Sequence, residues 1–218
     1  MNEIDYYFWM NSDWAYLGAD RLEQIAAEYQ LKIRYMPVDL PDVYRRTGGQ
    51  LLGNRAPERQ AYRIVELKRW CKKLDIHVNP TPKFMCPNAD AASRIVIAAD
   101  RMGLNTVSLY KAILRAEWCD DRDISDREEL KRILVEEGLD ADRLLVAADA
   151  PEIEAFYRHF TDTAVEAGVF GSPSYVFNNE LFWGQDRLDM LEDAITSAIG
   201  GAPRRSNSRL NADVRGGR

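Results

Sequence analysis

Extended, aromatic segments sit only near the two ends of this sequence, and the stretch between them is written almost entirely with helical spacing. The first segment, Ile4-Asp5-Tyr6-Tyr7-Phe8-Trp9-Met10, is an apolar run of the kind a buried strand needs. From Trp14 to Tyr29, the residues Trp14, Leu17, Leu22, Ile25 and Ala26 share one helical face. Ile33, Tyr35 and Val38 then resume extended character, closed by Pro37 and Pro41. This is a strand–helix–strand opening, and its second strand should run parallel to the first. Strand signals return only after Gly168. Ser174-Tyr175-Val176-Phe177 and Glu180-Leu181-Phe182-Trp183 flank Asn178-Asn179, a pair that tolerates the positive φ of a tight hairpin. A last helix is expected over residues 186–199.

In between, residues 57–74 alternate charges with Ile64, Leu67 and Trp70 and read as a helix that pauses at Asn79-Pro80-Thr81-Pro82. Alanine-rich helical patterns follow at 89–102 and 106–118. Ser125-Asp126-Arg127-Glu128 has the form of a capping box for a helix ending near Gly138. Further helices are expected at 140–149 and at 151–167, the second closing at Gly168. The order implies an α/β fold: a thioredoxin-like domain (βαβ…ββα) interrupted by an all-helical insertion. Its expected boundaries are 1–45 with 165–200 for the thioredoxin-like domain and 46–164 for the insertion. Residues 201–218, rich in Pro, Gly, Ser, Asn and Arg without periodicity, are expected to be a disordered tail.

The bulk properties exclude several classes. A net charge of -6 argues against a nucleic-acid binder, which would show a basic face. No run of about 18 apolar residues is present to span a membrane. No basic, then apolar, leader marks a signal peptide. Three widely spaced cysteines, Cys71, Cys86 and Cys119, read as reduced thiols of a cytoplasmic protein rather than a disulfide framework. Only two histidines occur, His77 and His159, so a three-histidine metal site is excluded and no metal is expected. Gly48-Gly49-Gln50-Leu51-Leu52-Gly53 lacks both the spacing and the context of a phosphate-binding loop.

A thioredoxin-like fold keeps its reactive Cys-x-x-Cys where the first strand gives way to the first helix. Here those two positions are Ser12 and Ala15, so no disulfide can form. Pro173, just before the hairpin, takes the place where such folds present a cis-proline beside the site. A site of this design without its own thiol implies a thiol from outside, as glutathione. Free thiols ionise with a pKa of about 8.5, and lowering it by about two units takes roughly 2.7 kcal/mol. A helix N-terminus contributes about 0.3–1 kcal/mol. One charge-assisted hydrogen bond adds about 1.5–3 kcal/mol. A Ser12 hydroxyl donating to sulfur would suffice where the helix dipole alone would not. The plainer role for Ser12 is an N-cap, and it is compatible with the first.

The chain resembles the 2-hydroxychromene-2-carboxylate isomerases and their relatives, the kappa-class glutathione transferases. The resemblance is carried by Asp5-Tyr6-Tyr7-Phe8 leading to Ser12, Trp14-Ala15-Tyr16-Leu17, Gly53-Asn54-Arg55, Asp123-Ile124-Ser125, Phe170-Gly171-Ser172-Pro173 and Phe182-Trp183-Gly184-Gln185-Asp186-Arg187-Leu188. It implies a glutathione-dependent isomerase of an aromatic or unsaturated 2-oxo acid, working as a homodimer. Ser12 would be the catalytic residue. Ser12, Ser172, Pro173, Trp183, Gly184, Gln185 and Asp186 would bind glutathione, and Asn54, Arg55, Arg59 and Asn88 would face the substrate. Asp186 serves equally as an N-cap of the last helix, and Asn54, Arg55 and Arg59 equally as surface groups. In one respect the chain departs from the family pattern, which has Ser-Pro at the head of this helix. Asp13 follows Ser12 here, and its charge would oppose an anionic sulfur unless the carboxylate points away. A kappa-like transferase and a non-catalytic thiol- or partner-binding module are the alternatives, and Asp13 motivates the second.

Overall fold

The computed structural model describes residues 3–200. β1 (Glu3–Phe8) is an inner strand of a four-stranded sheet of order β2-β1-β3-β4. β2 (Lys32–Pro37) runs parallel to it, with Tyr6 opposite Tyr35. β3 (Ser174–Phe177) runs antiparallel on its other side, with Tyr6 opposite Tyr175. The side-chain period of two explains the aromatic run. Ile4, Tyr6 and Phe8 share one face and are fully buried, Tyr6 stacking on Phe8 at 4.4 Å and on Tyr175 at 5.3 Å. Tyr7 faces the other way, into a smaller cluster with Met36, Val38, Val43 and Ala164. Both faces are therefore covered. β3 turns into β4 (Glu180–Trp183) through Asn178 and Asn179, both at positive φ, as the hairpin signal required.

α1 (Asp13–Glu28) buries Leu17, Leu22 and Ile25. At Gly18 it lies so close to the neighbouring turn that a Cβ would stand 2.9 Å from both the Gln185 Cβ and the Tyr175 hydroxyl. That contact seats the chain after β4 on the flank of α1, where Arg21 donates to the Gln185 carbonyl at 3.1 Å.

The helical block comprises α2 (Leu40–Thr47), α3 (Pro57–Leu74), α4 (Asp90–Arg101), α5 (Thr106–Trp118), α6 (Arg127–Glu136), α7 (Ala141–Ala148) and α8 (Pro151–Glu166). A short 3₁₀ turn (Leu52–Asn54) precedes α3. The block is fused to the sheet rather than hung from it: Tyr110 of α5 lies 6.0 Å from Tyr6, and one buried cluster runs through both. The arrangement is the thioredoxin-like sheet with inserted helices that the order of elements implied.

Three local expectations need correction. α2 was not anticipated, because Pro41 reads as the end of a strand. It also suits the first turn of a helix, whose N-cap Asp39 accepts the Asp42 N–H at 3.1 Å. Ser125 is not the cap of α6. Asp126 holds that position and accepts the Glu128 N–H, while the Ser125 hydroxyl donates to Asp123. The last helix, α9 (Leu188–Ala198), starts later than expected, behind a 3₁₀ turn (Gln185–Arg187), so Asp186 lies inside that turn and is not its N-cap. The expected tail, 201–218, falls outside the described residues.

Candidate active site

Ser12 caps α1 from an extended backbone, and its Oγ accepts the Ala15 N–H at 3.2 Å. Its own proton goes to the Ser172 carbonyl at 3.4 Å, the long end of hydrogen bonding. Ser172 and Pro173 are joined by a cis peptide bond. The Ser172 hydroxyl in turn accepts the Trp9 N–H at 2.9 Å, pinning the end of β1 to the proline loop. A hydroxyl that accepts from the helix while its own proton makes only a long hydrogen bond is set up to donate that proton to a better acceptor. An anionic sulfur at the helix N-terminus is such an acceptor, favoured there by the helix dipole as well.

Ser12 and Ser172 open onto a narrow pocket of about 70 Å³. Trp9, Trp14, Leu40, Leu51 and Leu52 give it flat apolar surface, and Asn11, Asp13, Tyr44, Arg55, Arg63, Cys86 and Trp118 also line it. Asp13 does not present a bare charge. Its Oδ1 accepts the Trp14 N–H at 2.9 Å and its Oδ2 takes the Arg63 Nη2–H at 2.6 Å, both residues being buried. Burial lifts the Asp13 carboxyl above its ordinary value against the opposing pull of that guanidinium. Arg63 also donates to the Pro80 carbonyl at 3.1 Å and lies 5.3 Å from the centre of the Trp118 ring.

Behind this pair sits Glu117, fully buried, accepting the Cys86 N–H at 3.0 Å through Oε1 while Oε2 has no hydrogen-bond partner among the described residues. Burial pushes its carboxyl up to about 9, so it is a neutral acid at physiological pH. Cys86 is held at φ +50, and burial pushes its thiol up to about 12, which disfavours the reactive thiolate.

The remaining expected site residues divide. Arg55 lines the pocket, donating to the Tyr44 hydroxyl at 3.3 Å and to the Gln50 carbonyl at 2.9 Å, with no carboxylate partner among the described residues. Gly184, at φ +101, donates its N–H to the Pro173 carbonyl at 2.9 Å, which ties the start of the last turn to the cis-proline. Trp183 is half exposed and packs edge-on against Phe170 at 4.7 Å. Gln185 is buried against α1, and Asp186 pairs with Arg187 at 2.6 Å. Asn54 and Arg59 are exposed on the segment that carries Arg55. Asn88 is exposed and accepts the Asp90 N–H at the head of α4. These last three are not among the residues lining the pocket.

Residues 3–196 match the model of the DSBA-like thioredoxin domain. A 2-hydroxychromene-2-carboxylate isomerase of Sphingobium xenophagum is 30% identical over 191 residues, covering 87% of this chain and 95% of its own length. This chain belongs to that isomerase family. A solved structure of a 2-hydroxychromene-2-carboxylate isomerase superposes with a TM-score of 0.77 at 26% identity, over 96% of this chain and all of the other. A more remote relative, glutathione S-transferase kappa 2 of Caenorhabditis elegans, is 21% identical and covers 92% of this chain and 95% of its own.

Within this isomerase family member, the residues that sequence reasoning overlooked are Arg63 and Glu117. Both left a faint trace. Arg63 lies four residues before Leu67, on the face that α3 buries, and Glu117 stands between Ala116 and Trp118, which α5 buries. A charge on an apolar face asks for a partner.

Proposed function

We propose that the protein is a glutathione-dependent isomerase of an unsaturated aromatic 2-oxo acid, in the manner of 2-hydroxychromene-2-carboxylate isomerase, and that it acts in the cytoplasm as a homodimer. The observation that carries this reading is the pairing of Ser12 with the Ser172 carbonyl, across a cis-proline, at a helix N-terminus that has no cysteine. That loosely held hydroxyl fits a glutathione sulfur, which supplies a nucleophile able to add to a conjugated carbon and leave it again.

Ser12 donates a hydrogen bond to the anionic form of that sulfur and so favours it over the thiol. The Ser172 main chain, beside Pro173, is a strand-like edge for the peptide backbone of the tripeptide. Trp183, Gly184, Gln185 and Asp186 border the same loop, and Asp186 supplies a carboxylate for the tripeptide's ammonium. Arg55, the pocket's guanidinium without a carboxylate, receives the carboxylate of the substrate. Asn54, Arg59 and Asn88 are assigned to the outer substrate surface. Trp9, Trp14, Leu51 and Leu52 hold an aromatic ring against water.

The test is direct. Purified protein is incubated with 2-hydroxychromene-2-carboxylate, with and without glutathione, and both the acid and the tripeptide are followed by chromatography. Interconversion that requires glutathione and leaves its amount unchanged is the expected result. Accumulation of a stable conjugate would instead favour the kappa-type transferase, which the Caenorhabditis relative brings into consideration. No binding of glutathione at millimolar concentration in a calorimeter would refute both.

A further inference from the structure

Asp13 and Arg63 come from helices fifty residues apart in sequence, yet they meet at 2.6 Å inside the pocket that Ser12 opens. Neither is idle packing. Side chains as polar as these are left almost without solvent only when something compensates them, and here each compensates the other. Glu117 and Cys86 both interact with Asp13 and with Arg63, and Cys71 with Asp13. Glu117 stays protonated and the two thiols stay neutral, so among these groups the carboxylate and the guanidinium carry the formal charges, with Asp123 also acting on Glu117. Arg55 and Tyr44 sit elsewhere on the lining and bond to each other. A sulfur held against Ser12 therefore faces, in this pair, one negative and one positive group whose influences oppose each other, with Arg55 a further cation on the same lining.

We propose that the Asp13–Arg63 pair sets the acidity of the sulfur held at Ser12, with Asp13 masking a guanidinium that would otherwise act on that sulfur at full strength. Asp13 and Arg63 are positioning residues under this proposal, because they act on the sulfur's charge through space and need not touch the substrate. The proposal rests on reading Ser12 as the sulfur's partner, and its consequences have opposite signs for the two members. Removing the carboxylate unmasks the cation, so the sulfur ionises at lower pH. Removing the cation leaves two acids to share one small site, so the second of them to ionise does so at higher pH.

The experiment places a reporter thiol in the site, so that it does not depend on glutathione. The variant S12C carries a thiol at the cap, and its ionisation is read by thiolate absorbance near 240 nm against pH, with the parent protein subtracted. The resident cysteines contribute little to the difference, since burial raises all three. In S12C/D13N the thiol should become more acidic by about half a unit to one unit, a threefold to tenfold gain in thiolate at fixed pH. In S12C/R63M it should become less acidic by a similar amount. The triple variant S12C/D13N/R63M should return towards S12C. A merely structural pair would change the melting temperature in each variant and leave the reporter's pKa where it was. That result in any variant that folds would overturn the proposal, and S12C/D13N or S12C/R63M alone is enough to obtain it. Glutathione titrated into the parent protein in parallel tests the wider functional reading. If the tripeptide fails to bind while the reporter shifts as stated, the functional reading falls and the electrostatic one stands.

Discussion

The two halves of the pocket are built by different means. The segments from the two ends of the chain, around Ser12 and Ser172, shape it with backbone: a helix cap, a cis peptide bond and a glycine at positive φ. The helical block supplies side chains carried in from a distance, Arg63 and Glu117 among them, which are buried and charged or chargeable. The backbone half is robust, because its geometry depends on few identities. The side-chain half is delicate, because a buried charge is tolerable only with its partner in place. On the proposed reading, one half offers the chemistry and the other adjusts the electrical setting in which it runs.

The sharpest way to break this contrast is R63M. It strands the Asp13 carboxylate, and urea unfolding should show about 3–5 kcal/mol lost, most of it recovered in D13N/R63M. A loss below about 1 kcal/mol would mean that the block is no more delicate than the ends. Next comes S12A, which removes the donor from the backbone half. We expect kcat/KM for the isomerisation to fall about a hundredfold, with only about 1 kcal/mol of stability lost through the missing cap. Equal losses in stability and in activity would dissolve the distinction.

Glu117 sharpens the comparison through pH. Its carboxyl is neutral in the folded protein up to about 9, but in the unfolded chain it ionises above about 4.5. Between those values the folded state holds the extra proton, so this group makes stability fall as pH rises, by about 1.4 kcal/mol per unit. Unfolding at pH 6 and at pH 8.5 should therefore show a steeper decline in the native protein than in E117Q, which mimics the neutral acid. Parallel declines would place Glu117 outside this account. The smallest effect is expected from R55A, which should raise KM about tenfold for a carboxylate substrate while kcat changes little. An unchanged KM would remove Arg55 from substrate recognition.

Legibility in the sequence follows the same division. The strands, the hairpin at Asn178-Asn179, the cap at Ser12 and the proline of the cis bond all leave short-range marks, because local conformation depends on neighbouring residues. α2 escaped because Pro41 has two meanings, stopping a strand and starting a helix. Arg63 escaped for a deeper reason. Its partner lies fifty positions away, and among the exposed charges of α3 nothing short-range distinguishes an arginine that turns inward. The same holds for Asp13: a carboxylate that looks opposed to an anionic site in the sequence is neutralised in the fold by a residue from another helix.

The pairing of β1 with β3 has a consequence for synthesis. Tyr6 leaves the ribosome early, but its neighbour Tyr175 emerges only after the whole helical block has been made. A nascent chain lacking residue 174 onward has a strand with one open edge and no Ser172 loop anchored across it. Half-finished polypeptides therefore lack the wall that closes the pocket, which is completed only when the last hairpin arrives.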